Sequence, residues 1–218
     1  MWGTVGILYN KKMVDDPVDS WDILWNPKYA KNIFMLDSQR DSIGVALKKL
    51  GYSLNSRNEA ELEEAKQILI EQKPLVLAYV GDEVKDKMIS GEAALAVVWS
   101  GDATFMKWEN PDLEYAIPKE GSNLWFDAMV IPKSSKNKKE AELFINFMTD
   151  PKIALRNVNY IGYSTPNKAT LEMLDEEIRN DKTAYPDDED IEHCEVFVDV
   201  SDIIGVYNRI WDEVMAEN

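Results

Sequence analysis

The chain has 218 residues, 45% of them apolar and 29% charged, with 24 Lys and Arg against 40 Asp and Glu for a net charge of −16. That composition is globular, and it excludes a nucleic-acid groove, which needs a basic stripe to displace counterions from phosphates. It favours cationic partners, although acidity also serves solubility alone.

Taken in chain order, short β-branched and apolar runs predict strands over 4–9, 33–36, 75–80, 93–99, 113–117 and 126–131. Amphipathic stretches lie between them. One runs over 42–50 and stops at Gly51, a residue suited to the left-handed position after a helix. Another covers 59–72, with Asn58 as its N-cap, Leu62, Ala65 and Leu69 on one face, and Lys73-Pro74 ending it. Strands alternating with helices predict βαβ units, and so an α/β lobe over the first ~125 residues with a mixed, mostly parallel sheet flanked by helices on both faces. After Pro132 strands become scarce: 138–148 and 151–159 read as helices, 161–167 as a loop and 171–179 as a further helix. The closing stretch, 201–215, places Ile203, Ile204, Tyr207, Ile210, Trp211 and Val214 at helical spacing, and core packing is the expected role of Trp211.

Several chemistries lack their residues. The single cysteine, Cys194, cannot form an internal disulfide, and with His193 as the sole histidine there is no Cys/His metal set. Neither G-x-S-x-G nor a glycine-rich phosphate loop occurs, so no catalytic residue, cofactor or metal is expected. No apolar run approaches the ~20 residues of a membrane-spanning helix. Met1-Trp2-Gly3-Thr4 has neither a basic nor an apolar signal region, so any export signal or anchor is expected outside this sequence.

In open α/β sheets ligands bind beyond the carboxyl ends of the strands. That rule directs attention to Asp37-Ser38-Gln39-Arg40-Asp41, to Trp99-Ser100-Gly101-Asp102 and to Leu124-Trp125-Phe126-Asp127. Trp125 and Asp127 are two residues apart and point to one side of an extended chain. An aromatic face attracts an ammonium and packs methylenes, while a carboxylate accepts charge-assisted hydrogen bonds from it. From the residues alone, Trp99 and Trp125 read more readily as ordinary core aromatics.

Eight segments resemble the periplasmic spermidine/putrescine-binding protein family: WGTVGILYN, SWDILWNPKYAKNIFMLD, ALKKLGY, GEAALAVVWSGDA, PKEGSNLWFDAMVIP, KNKKEAELFINFM, IGYSTPN and NDKTAYPD. They follow one another through nearly the whole chain, and the Trp-x-Asp before an apolar run is the most specific. The resemblance implies a periplasmic-binding-protein-like (type II) fold of two lobes, with a polyamine stretched across the cleft between them. It implies that Trp99 and Trp125 wall the ligand, that Asp127 pairs with an ammonium, and that Tyr163 lines the pocket. Asp41 falls where the family has a glutamate, one methylene longer. Ser38 stands where an aspartate is expected and Phe197 where an amide is expected, which weakens polar recognition and leaves the preferred polyamine open.

By the same resemblance, 1–126 and 172–218 form the second lobe, while 127–171 is the returning segment of a first lobe that is mostly missing. The implied partners are spermidine or putrescine and an ABC transporter permease, in a periplasmic or extracellular setting at the outer face of the cytoplasmic membrane. An uncovered cleft face predicts self-association of the chain. A binding protein for another ligand, such as a sugar or a metal ion, is the alternative. A carboxylate-pair hydrolase and a pure interaction domain are more distant ones.

Overall fold

A computed structural model describes residues 1–217. Six strands build one sheet: β1 (Trp2–Asn10), β2 (Ile33–Leu36), β3 (Val76–Val80), β4 (Leu95–Trp99), β5 (Leu113–Ala116) and β6 (Leu124–Phe126). The order is β3-β2-β4-β1-β5, with β6 pairing to the start of β1. Of the five pairings, β2–β3 and β2–β4 are parallel, whereas β1 runs antiparallel to β4, β5 and β6. The sheet is therefore mixed and not mostly parallel. The expectation fails at β1, which enters from the opposite end and runs down the middle of the sheet, a non-local arrangement that local alternation does not encode.

Ten α-helices follow in chain order among the described residues: α1 (Gln39–Lys49), α2 (Glu59–Gln72), α3 (Val84–Ser90), α4 (Ser100–Glu109), α5 (Lys138–Met148), α6 (Pro151–Ile161), α7 (Lys168–Leu171), α8 (Glu176–Arg179), α9 (Asp188–Ile191) and α10 (Ile204–Ala216). The Asn58 side chain caps α2 by accepting from Ala60 N at 3.0 Å, as expected. Gly51, just after α1, takes φ +80°. α1 starts three residues earlier than expected, which puts Asp41 inside its first turn. The helix expected over 171–179 divides into α7 and α8, because Asp175 is in extended conformation and starts a new turn.

Period-two alternation places Val5, Ile7, Ile33, Met35 and Val97 in one core with Trp21, Leu24 and Val45. Leu8, Phe34, Ala96 and Val98 fall in a second core with Val84, Met88 and Met106 from α3 and α4. A third core joins α1, α2 and α10 through Leu47, Leu62, Leu69, Tyr207, Ile210 and Val214. Helices thus cover both faces of the sheet. Trp211 packs against this third core and meets the Tyr79 ring edge-on at 5.6 Å, in keeping with its expected packing role.

The strand expected over 126–131 is corrected. β6 ends at Phe126, and Met129 and Val130 are exposed rather than laddered. Beyond β6 the main chain keeps one bond to the sheet, Asp127 N to Met1 O at 2.9 Å. Without a neighbouring strand on the described residues, an apolar β-prone run has nothing to pair with.

Candidate functional site

Because β2 and β4 are parallel and β1 is antiparallel to both β4 and β6, the carboxyl ends of β2, β4 and β6 lie at one edge of the sheet, where β1 begins. α1 and α4 start at that same edge, with Ser38 and Trp99 in their N-cap positions. These ends enclose a cleft of about 510 Å³ lined by Arg40, Asp41, Trp99, Asn123, Trp125, Phe126, Asp127, Tyr163 and Phe197. Antiparallel β1 leaves the strand-end rule intact, since every strand that delivers a cleft residue still runs toward that edge.

Two indoles and a phenol form the aromatic part. Trp99 and Trp125 are partly buried against the sheet core and also line the cleft, so core packing and access to the cleft are compatible for both. Trp125 faces Gly3 across the ladder, and a Cβ on Gly3 would sit 2.7 Å from its ring. The indole therefore lies on bare backbone, which only glycine allows. Tyr163 follows the left-handed Gly162 at the end of α6 and stands 5.6 Å from the Trp125 ring, tilted by 55°. Its ring covers Gly101 in the first turn of α4, where any Cβ would collide with it. Burial, together with the neighbouring Asp102 carboxylate, raises the Tyr163 phenol above its ordinary range, so it stays a neutral donor.

The two carboxylates differ in setting. Asp41 is buried, accepts from Ser38 Oγ at 2.7 Å on one oxygen and from Asn123 Nδ2 at 3.1 Å on the other. Burial raises its carboxyl above the ordinary range, partly offset by those two donors and by Arg40. Asp127 sits two residues beyond Trp125 with its side chain 67% exposed, 4.0 Å from the Met1 nitrogen. Phe197 lies under a guanidinium: the Arg40 carbon is 4.3 Å from its ring centre and 5.0 Å from that of Tyr207.

The model of the bacterial extracellular solute-binding proteins matches residues 2–186. The chain belongs to that family. The spermidine/putrescine-binding periplasmic proteins of Salmonella typhimurium and of Escherichia coli are each 36% identical to it over 99% of the chain. The chain spans 62% of the length of these relatives. A Streptococcus pneumoniae spermidine/putrescine ABC transporter substrate-binding protein superposes with a TM-score of 0.87 and 44% identity, covering 98% of this chain and 67% of that one. A Listeria monocytogenes chain, described as a spermidine/putrescine ABC transporter, gives 0.95 at 44% identity, over all of this chain and 68% of its own. The type II solute-binding fold is the fold of this chain.

Within this family member, six of the seven residues named from sequence meet in the one cleft: Asp41, Trp99, Trp125, Asp127, Tyr163 and Phe197. Ser38 does not line it and stands behind Asp41 as a hydrogen-bond donor. Arg40, Asn123 and Phe126 were not singled out, although all three lie in the segments named at strand ends or next to named residues. A second cleft of about 620 Å³ shares Asp127 and Tyr163 and adds Asp82, Lys85 and Asp102. There Lys85 pairs with Asp82 at 3.1 Å and with Asp102 at 3.3 Å.

Proposed function

We propose that this protein is the substrate-binding component of a polyamine ABC importer. In this reading it captures spermidine or putrescine outside the cytoplasmic membrane, passes it to the membrane permease and performs no covalent chemistry. The observation that carries the reading is one cleft that joins two indoles, a neutral phenol and two carboxylates on a chain of net charge −16. Trp99 and Trp125 pack the methylenes and attract the cationic ends, and Asp41 and Asp127 accept charge-assisted hydrogen bonds from ammonium groups. Ser38 and Asn123 hold the Asp41 carboxylate in place by its two oxygens. The names of the relatives, each bearing spermidine or putrescine, support the same ligand class.

We also propose that 1–126 with 172–218 acts as one lobe of a two-lobed clamp and that 127–171 belongs to the other. Exposed Phe144, Phe147 and Tyr160 on α5 and α6 support that division. With Phe126 57% exposed and the Asp127 side chain 67% exposed, the cleft is open to water on this chain. The exposed ion pair at Asp127 is worth about 0–1 kcal/mol, which leaves Asp41 as the main anchor, so affinity of this chain for spermidine is expected near the millimolar range. Calorimetric titration with spermidine, putrescine and glucose tests the reading. Heat from the two amines but not the sugar is expected, and glucose binding without amine binding would overturn it.

A further inference from the structure

Behind the Asp41 wall of the cleft lies a small cavity of about 10 Å³, lined by Asp41, Gly44, Lys48, Ser122, Asn123 and Phe197 together with apolar neighbours. That is room for about one water molecule. Asp41, Asn123 and Phe197 line both spaces, so the cavity is the back of the binding wall.

Its polar lining is incomplete. Asn123 is buried and its Nδ2 is engaged by Asp41, which turns Oδ1 the other way, and that oxygen is shielded from solvent with no protein partner. Of the two spaces that Asn123 lines, a shielded oxygen faces the smaller and more closed one. Buried acceptors are rarely left unmet, and an ordered water is a common partner. Other buried polar groups converge on the same cavity. Lys48 gives one N–H to Glu195 at 2.9 Å and carries more, and the Ser122 hydroxyl donates to Val5 O, which leaves its own oxygen to accept. A water both donates to and accepts from such a set. An ammonium group has no lone pair for the Lys48 N–H.

Gly44 keeps the room. It lies inside α1, where glycine costs helix stability relative to alanine. Sterics do not demand it: a Cβ would meet Leu54 Cβ at 3.6 Å and the Phe197 ring at 3.7 Å, both ordinary contacts with residues of the cavity wall. A methyl group there fits, and it takes up the space of the cavity.

We propose that this cavity is a site for one ordered water, kept open by Gly44, that bonds Asn123 Oδ1 and so holds the Asn123 amide in the orientation that donates to Asp41. The consequence for binding rests on the polyamine reading above: Gly44, Lys48 and Ser122 are positioning residues for the carboxylate that accepts the ammonium.

The test compares the unmodified chain with Gly44→Ala and Gly44→Ser, both checked for folding by urea denaturation. NMR cross-relaxation between water and the Asn123 side-chain amide protons should report a long-lived water in the unmodified chain and lose it in Gly44→Ala. No such signal in the unmodified chain overturns the proposal. So does a signal that persists in Gly44→Ala, which would come by relay from the Ser122 hydroxyl. In NMR titration with putrescine, Gly44→Ala should bind about fivefold more weakly, the worth of one ordinary hydrogen bond. Gly44→Ser carries a hydroxyl into the cavity in place of the water and should recover most of that loss. Unchanged affinity in Gly44→Ala overturns the positioning role, and equal weakening by alanine and serine assigns Gly44 to packing and overturns it too. If putrescine does not bind the unmodified chain, the polyamine reading falls, and the water signal alone decides the cavity.

Discussion

Helices α1 and α5 are both eleven residues long, yet eight residues of α1 are buried and none of α5 is. Their sequences do not foretell this. α5 is the more clearly amphipathic of the two, with Leu143, Phe144 and Phe147 on one side, but those side chains are 62%, 59% and 53% exposed. α1 is wedged between the sheet and the α2–α10 pair, so even Asp41, Ser42 and Lys48 are taken out of water. An apolar stripe states that a helix needs a partner, and only the fold states whether the partner is present. The body of the molecule has a finished core, whereas the stretch through α5 shows a face prepared for burial.

Substitutions in the two helices break or sharpen this contrast. Leu47→Ala in α1 opens a cavity in a fully buried site and should cost about 2–5 kcal/mol in urea denaturation. Phe147→Ala in α5 should change stability by less than about 0.5 kcal/mol. It should also reduce concentration-dependent self-association seen by light scattering, since a contiguous exposed apolar patch is what drives such contacts. Equal destabilisation by the two would mean that α5 packs as α1 does, and a strictly monomeric unmodified chain would leave the uncovered face without consequence.

The same contrast separates the two carboxylates, one held by α1 and one just past β6. Asp41→Asn should weaken amine binding by about 2–4 kcal/mol, because it neutralises a desolvated partner. Asp127→Asn should cost only about 0–1 kcal/mol on this chain, since its carboxylate is mostly in water. Paired titrations of the two variants decide the point. A larger loss at Asp127 would reverse the assignment of the stronger ammonium partner.

How far the sequence was legible follows the range of the interactions involved. The apolar runs at 33–36 and 93–99, the Asn58 cap and the bounds of α2 and α5 are local, and the residues state them. Strand direction is not local, and β1 was missed as the antiparallel centre for that reason. α4 is not legible because Ser100-Gly101, Thr104 and Phe105 are poor helix formers, and burial of Ala103 and Met106 stabilises it instead. Within the site, the Trp125–Asp127 spacing exposed itself through strand geometry. Arg40 did not, since a charge in the first turn of a helix reads as a solvated one. Its fixed position depends on Phe197 and Tyr207, more than 150 residues further along.

The least direct effect belongs to Ser38, which does not line the cleft yet bonds the Asp41 carboxylate that does. Its hydroxyl donates to the Asp41 carboxylate and so favours the charged form, while burial favours the neutral one and prevails. A carboxyl whose folded pKa is raised above its unfolded value holds its proton more tightly in the folded chain. Its ionisation therefore costs stability at neutral pH, and that cost disappears as the pH falls through the folded pKa. Amine binding has the opposite sign: it needs the ionised carboxylate and should weaken over the same fall in pH, in a window above the ordinary carboxylate range. Ser38→Ala removes a donor to the charged form, so it should move that window upward and cost about 1 kcal/mol of amine affinity near neutral pH. It should also lower stability near neutral pH by more than at acid pH, where Asp41 is neutral. Titrations of amine binding and urea denaturation at a series of pH values, on the unmodified chain and the variant, read both effects. A binding window unmoved by Ser38→Ala would mean that Asn123 alone sets the Asp41 charge and that the Ser38 hydroxyl is a bystander.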